Sequence, residues 1–214
     1  MEDRKEAILD AAVAIADESG LAAVSMRAVA QRVGVTPMAL YPHIGSKSAL
    51  LDAMLGRLGS ELLPAMAASA TWQDQLDGLA HAARRLSLRH PWAGTLMFSR
   101  PSVAPDAVRV TDAIYQALLA AGVPAPEVPR LERMVSTFVL GYGLSESGGR
   151  FGSRGSDPRG RRGELPEGTL PGHARLAHWL AQTPDWDDEF AADLRDLELL
   201  IEAKSRPDGD GVAD

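Results

Sequence analysis

The stretch VSMRAVAQRVGVTPMALYPHIGSKSALL, residues 24–51, decides how the rest of the chain is read. It divides into two short helices joined by a tight turn, followed by the start of a third. Ser25 offers a capping oxygen to MRAVAQRV, and Gly34 supplies the backbone freedom that ends that helix. Thr36 and Pro37 open the second helix, an N-cap oxygen followed by a ring whose φ is already near helical. Ser46 caps the third. Val29, Val33, Val35 and Leu40 are spaced to pack the first two together as a helix-turn-helix. Pro42 disfavours helical geometry at Tyr41, which predicts that the second helix ends abruptly there. A helix of about five to six residues does not stand alone and is suited to presenting an exposed face. Between Ser25 and Lys47 lie three basic residues, Arg27, Arg32 and Lys47, and no acid, in a chain of net charge -7. A locally positive face on an acidic protein points to a polyanion partner at that place alone.

The 214 residues suffice for one large or two small domains, and 45% apolar content makes the chain globular. With a pI of about 5.3 it is no general nucleic-acid coat. There is no cysteine, which excludes disulfides, thiolate metal sites and cysteine nucleophiles, and suits a reducing cytoplasm. The N-terminus, MEDRKEAILDAAVAIADESG, has the mixed charge of neither a signal peptide nor a membrane span. There are five histidines and many carboxylates, but no HExxH, nucleophile elbow, phosphate loop or metal-spaced cluster. The expectation is a protein that is not an enzyme, with no catalytic residue, metal site or cofactor.

Apolar spacing carries an all-α pattern of nine to ten helices. Ile8, Ala12, Ile15 and Ser19 mark an amphipathic first helix that Gly20 ends. A long helix follows Ser46 as far as Pro64. Thr71 with Asp74 begins another in the manner of a capping box, running to the His90-Pro91 break. Shorter helices follow from Pro91 to Phe98 and from Pro105 to Gly122. RLERMVSTFVLGYGLSE is apolar most of the way round and is expected to be buried on more than one side. Residues 148–172 have loop composition, HARLAHWLAQ forms a short helix, and Phe190, Leu194, Leu197 and Ile201 form a seam in the last one. The Arg/Gly-rich segment 150–163 reads as a solvated linker. The organisation expected is a DNA-binding domain at 1–46, an effector-binding and dimerisation domain at 47–206 with 47–63 as connecting helix, and a disordered tail at 207–214.

The first amphipathic helix, then SMRAVAQRVGV, then TPMALYPHIGSKSALL, resemble the DNA-binding domain of the TetR family of bacterial transcriptional repressors. Leu40-Tyr41, His43, Lys47 and Leu50 carry most of that resemblance. TWQDQL, RHPWAGTLMFSRP, FVLGYGLSES and the final helix resemble, in matching order, the C-terminal domain of the tetracycline-repressor branch. The resemblance implies a homodimer whose two heads read a palindromic operator in double-stranded DNA. It also implies a ligand pocket in each larger domain, with ligand binding moving the heads apart. A regulator without an effector, or an activator, stands as the alternative. The length of the C-terminal domain argues against the first, since dimerisation alone needs less chain.

The second helix should enter the major groove with its N-terminal end. Thr36, Pro37, Met38, Ala39, Tyr41 and His43 are its outward positions, and none is a bidentate base reader. The family resemblance therefore carries the main base contact over to Arg27. Met38 and Ala39 suit thymine methyls. Ser25, Thr36, Tyr41 and His43 suit phosphates, and Lys47 adds charge where a helix dipole already favours an anion. For the effector, large side chains in buried helices suggest a mostly apolar site from His81, Arg85, Trp92, Met97, Phe98, Tyr115, Phe138 and Tyr142. The tetracycline branch holds its drug through a magnesium ion, using a histidine before the RP step and an acid after the LG step. Met97 and Ser145 stand nearest those positions here, and neither is a good hard-cation ligand. Magnesium-tetracycline is therefore not the expected inducer. The expected dimer is a four-helix bundle of 129–147 and 187–204 with their symmetry mates, through Val135, Val139, Phe190, Leu194, Leu197 and Ile201.

Overall fold

A computed structural model describes residues 2–67, 71–100, 103–151 and 168–205. Among them no strand forms, and there are eleven α-helical segments, two of them four-residue turns. The head comprises α1 (Glu2–Ser19), α2 (Met26–Val33) and α3 (Tyr41–Ile44). The long α4 (Lys47–Leu62) leads out of it through the short α5 (Pro64–Ala67). The body comprises α6 (Trp72–Arg89), α7 (Pro91–Ser99), α8 (Pro105–Ala120), α9 (Val128–Ser147), α10 (Pro171–Leu180) and α11 (Trp186–Ser205). No helix among the described residues is long and apolar enough to cross a membrane. The 207–214 tail and most of the 148–172 loop lie outside the described residues. The last part of that loop is helical, because Pro171 provides the first turn of α10.

Local chemistry explains the head. Ser25 Oγ accepts from the Ala28 amide at 3.1 Å and Ser46 Oγ from the Ala49 amide at 3.1 Å, so both caps form as their sequence positions predict. Gly34 closes α2 in the left-handed region, φ 77 and ψ 33, which no β-carbon-bearing residue enters cheaply. Thr36 starts the next segment without a side-chain cap bond, so its hydroxyl is left uncommitted there.

Two expectations for that segment need correction. It begins as a 3-10 turn over Pro37–Leu40 and passes directly into α3. Tyr41 is helical, φ -58 and ψ -38, and the break comes only at Gly45, φ 74. Pro42 is tolerated because it occupies the first turn of α3, where an amide N–H has no intrahelical partner to lose. Leu40 and Ile44, four apart, are buried on one face at 1% and 6% exposure. Burying side chains of this size contributes about 1.5–3 kcal/mol each, enough to outweigh the steric penalty before a proline.

One apolar core runs through head and body. Ile8, Ala12, Val24, Val29, Leu40 and Leu50 fill the head, and Met54, Leu55 and Leu58 of α4 continue that core into the body. There α6, α8 and α9 pack on one another, with α4 crossing α8 and α7 lying against α9. The α4–α8 crossing is close because α4 presents glycines to it. A β-carbon on Gly59 would stand 2.8 Å from the Ala107 amide nitrogen.

Candidate nucleic-acid interface and internal cavity

The head holds its nine predicted contact residues on consecutive elements. Arg27 is exposed on α2, and Thr36, Pro37, Met38 and Ala39 are exposed along the 3-10 turn. Met38 is 75% exposed and Tyr41 44%. His43 is half-buried, and Lys47 is exposed at the first position of α4. Ser25 is half-buried, and because its oxygen already accepts the Ala28 amide, its proton is what it can give away.

Arg32 is different. Its guanidinium bonds both carboxylate oxygens of Glu18 on α1, and those hydrogen bonds hold the Glu18 carboxyl below its ordinary range. Its charge is thus matched within the head. Arg27 and Lys47 form no ion pair among the described residues, so they are the basic groups of this face left for a polyanion.

The head is joined to the body by a polar contact the sequence did not disclose. Asp17 of α1 accepts from Trp92 Nε1 at 2.6 Å and from His90 Nδ1 at 2.7 Å. Arg89 Nε lies 3.0 Å from His90 Nε2 and can only donate, so Nε2 carries the lone pair and Nδ1 the proton. Arg89 also pairs with Glu61 of α4. Arg100, just beyond α7, bonds Asp52 of α4 at 2.8 Å, and Arg57 of α4 pairs with Asp10 of α1.

Inside the body lies a cavity of about 210 Å³. Its walls are Leu55, Gly59 and Leu62 of α4, Leu76, Leu79, Ala80 and Ala83 of α6, and Met97 of α7. Ala107, Val110, Thr111 and Ile114 of α8 and Glu132, Val135, Ser136, Val139 and Leu140 of α9 complete them. Among the described residues its surface is aliphatic with one carboxylate and two hydroxyls.

Of the eight residues expected to line a pocket, this cavity takes Met97 and leaves the others elsewhere. Arg85 is exposed, Phe98 is 47% exposed, and Tyr115 is half-buried on α8 outside the cavity wall. Trp92 belongs to the Asp17 joint. His81, Phe138 and Tyr142 pack on Phe190 of α11, with ring centroids 5.3, 6.3 and 4.6 Å from it. Phe151 and Trp186, stacked at 4.7 Å, extend this cluster. Large rings fill space, whereas the cavity exists where Gly59, Ala80, Ala83 and Ala107 leave it open.

Arg84, adjacent in sequence to the expected Arg85, ties the cluster together. It bonds both Glu146 oxygens at 2.6 and 2.7 Å and Asp187 at 2.7 Å, and lies 5.1 Å from the Phe190 ring centre. Those bonds, Glu146 first, raise the guanidinium further above its ordinary range. Burial pushes the Tyr142 phenol up to about 12.

The residues of the expected dimer seam lie mostly against their own chain. Phe190, Leu194 and Ile201 are 0%, 6% and 1% exposed, while Val135 and Val139 line the cavity. They face their own chain, and Leu197 packs half-buried against the same core. The 4-3-4 spacing packs α11 on the core of its own chain. What α11 leaves in solvent is Leu199, 63% exposed, and Leu200, 40% exposed.

A family model described as tetracyclin repressor-like, C-terminal domain, matches residues 63–202, and one for bacterial regulatory proteins of the tetR family matches residues 8–54. The chain belongs to the TetR family. It is 32% identical over 163 residues to an HTH-type transcriptional regulator of Saccharopolyspora erythraea, covering 76% of this chain and 67% of that protein. It is 34% identical over 141 residues to the transcriptional repressor DrrR1 of Streptomyces coeruleorubidus, covering 65% of this chain and 52% of that one. The chain thus aligns with about half the length of DrrR1. Apo ActR of Streptomyces coelicolor superposes with a TM-score of 0.80 at 24% identity, over 94% of this chain and 95% of ActR. ActR has also been solved in complex with actinorhodin, at 23% identity, TM-score 0.80, over 95% and 98% of the two chains. As a TetR-family protein the chain is a transcriptional regulator and not an enzyme.

Proposed function

We propose that this TetR-family protein is a cytoplasmic, dimeric repressor that binds a palindromic operator through its two heads and lets go when a small, mostly apolar effector enters the body cavity. The observation that carries the DNA half is the acid-free face from Ser25 to Lys47, on which Arg27 and Lys47 remain unpaired. Arg27 takes the guanine contact. Met38 and Ala39 lie against thymine methyls, and Ser25, Thr36, Pro37, Tyr41, His43 and Lys47 follow the phosphate backbone. Duplexes selected from a random pool should show two half-sites about one helical turn apart or a multiple of it. On the selected duplex, Arg27→Ala should lose about 1–3 kcal/mol and relax the sequence preference. Lys47→Ala should weaken selected and random duplexes alike and flatten the salt slope by about one unit. Anisotropy titrations in which Arg27→Ala keeps the full preference for the selected duplex would reject its role.

The dimer face is the side of α11 that carries Leu199 and Leu200, since its other side is spent on the chain's own core. Adjacent exposed leucines on one helix favour burial against a second copy. The double substitution Leu199→Glu, Leu200→Glu should turn a sedimenting dimer into a folded monomer. It should also leave only weak single-head DNA binding. A dimer that survives it places the interface elsewhere.

A further inference from the structure

The cavity has one feature that an apolar effector does not explain. Glu132 lines it, is 9% exposed, and is surrounded there by leucine, valine, isoleucine, methionine and alanine side chains. Its Oε1 accepts from the Ser136 hydroxyl at 2.7 Å. Its Oε2 accepts nothing among the described residues. Among the described residues no fully buried side-chain oxygen or nitrogen lacks a partner, so Oε2 is not sealed off, and Glu132 is part of the cavity wall. Among the described residues no lysine, arginine or histidine stands in the cavity wall. The nearest basic residues along α9 do not serve either, because Arg130 is bound to Glu127 and Arg133 is exposed.

A carboxylate in apolar surroundings needs a cation or strong donors to offset its lost hydration. Elsewhere the body provides one, as Arg84 does for Glu146. At Glu132 it provides one hydroxyl. We propose that the missing partner is the effector itself, a compact hydrophobic amine whose protonated nitrogen donates to Glu132. Its hydrocarbon part fills the space between α4, α6 and α8. At about 210 Å³ the cavity is smaller than typical drug-sized sites of roughly 300–1,000 Å³, which favours a small rigid cage or ring over an extended polycycle. This deepens the effector half of the proposed function and rests on it.

The test uses three probes of one shape, 1-adamantylamine, 1-adamantanol and 1-adamantanecarboxylate, titrated calorimetrically into the full-length protein near neutral pH. The amine should bind about ten- to a hundredfold more tightly than the alcohol, as expected for a hydrogen bond to a buried charge, and the carboxylate most weakly. Glu132→Gln keeps the shape and removes the charge. It should lose the preference for the amine over the alcohol, and a circular-dichroism spectrum and thermal unfolding midpoint like those of the parent show that the fold is intact. Equal binding of amine and alcohol by the parent overturns the proposed cation partner while leaving the cavity as an apolar effector site. A preference that survives in Glu132→Gln overturns it too. Failure of all three probes to bind overturns the cavity as an effector site, and this proposal with it.

Discussion

Replacing Arg84 with methionine should remove about 3–5 kcal/mol of stability, the usual penalty when one partner of a buried ion pair is deleted. The Arg84 side chain is 8% exposed and that of Glu146 13%, so neither charge falls back on bulk water. The guanidinium grips Glu146 through Nε and Nη2 in the forked geometry that suits a carboxylate. Its contact with Asp187, a side chain 87% exposed, adds little. Methionine keeps much of the volume and the contact with Phe190, so the loss reports chiefly the stranded carboxylate. The double variant Arg84→Met, Glu146→Leu removes both charges and should recover most of the loss. Urea unfolding followed by circular dichroism measures all three proteins. A single-variant loss under about 1 kcal/mol would show that water reaches Glu146 and that the clamp between α6, α9 and α11 is weaker than its geometry implies.

In the proposed function, the same geometry is the route by which an occupied cavity is felt at the DNA face. Helix α4 belongs to both sites. Lys47 begins it beside the DNA-facing turn, and Leu55, Gly59 and Leu62 form part of the cavity wall. From Lys47 to Gly59 is about 18 Å of continuous helix at 1.5 Å per residue. A ligand that displaces α8 from α4 acts on the far end of that lever. Asp52 to Arg100 holds the first half of that helix, and Arg57 to Asp10 ties its cavity end to α1. A second path runs from α6 and α7 through His90 and Trp92 to Asp17. Coupling between the two sites follows if the heads have different spacings in the empty and occupied states.

The head was legible because its signals are local. Ser25, Gly34 and Ser46 act within three or four residues of themselves, and their spacing survives in the sequence as caps and stops. The body was legible as helices and poorly legible as a site. A cavity is defined by what is absent between helices far apart in sequence, and Gly59, Ala80 and Ala107 carry no local sign that they face a common void. Large aromatic residues mark a different, filled region for the same reason, since Phe138 and Tyr142 pack on a helix about fifty residues later in the chain. Arg84 was indistinguishable from Arg85 by composition, and only helix phase decides which faces inward. At Tyr41 the sequence rule was sound and was outweighed, because the preference against helix before a proline is smaller than the burial of Leu40 and Ile44.

Gly59 and Gly141 give a matched test of how far packing overrides local propensity. Both lie inside helices, α4 and α9, and on propensity alone Gly→Ala should stabilise either by about 0.5–1 kcal/mol. At Gly141 a new β-carbon meets nothing within 4 Å, so Gly141→Ala should deliver that gain. At Gly59 the same atom arrives 2.8 Å from the Ala107 nitrogen and 3.0 Å from its Cα, backbone that cannot rotate away. Helix α8 must then shift against α4, an overpacking that costs about 1–3 kcal/mol and exceeds the propensity gain. The two variants should therefore move in opposite directions in thermal unfolding. Gly59→Ala should also change effector affinity, because Gly59 and Ala107 both line the cavity. Equal stabilisation by both substitutions would mean that α4 and α8 are not locked at this crossing. A lever built on their separation would then have to act through the Asp17 joint instead.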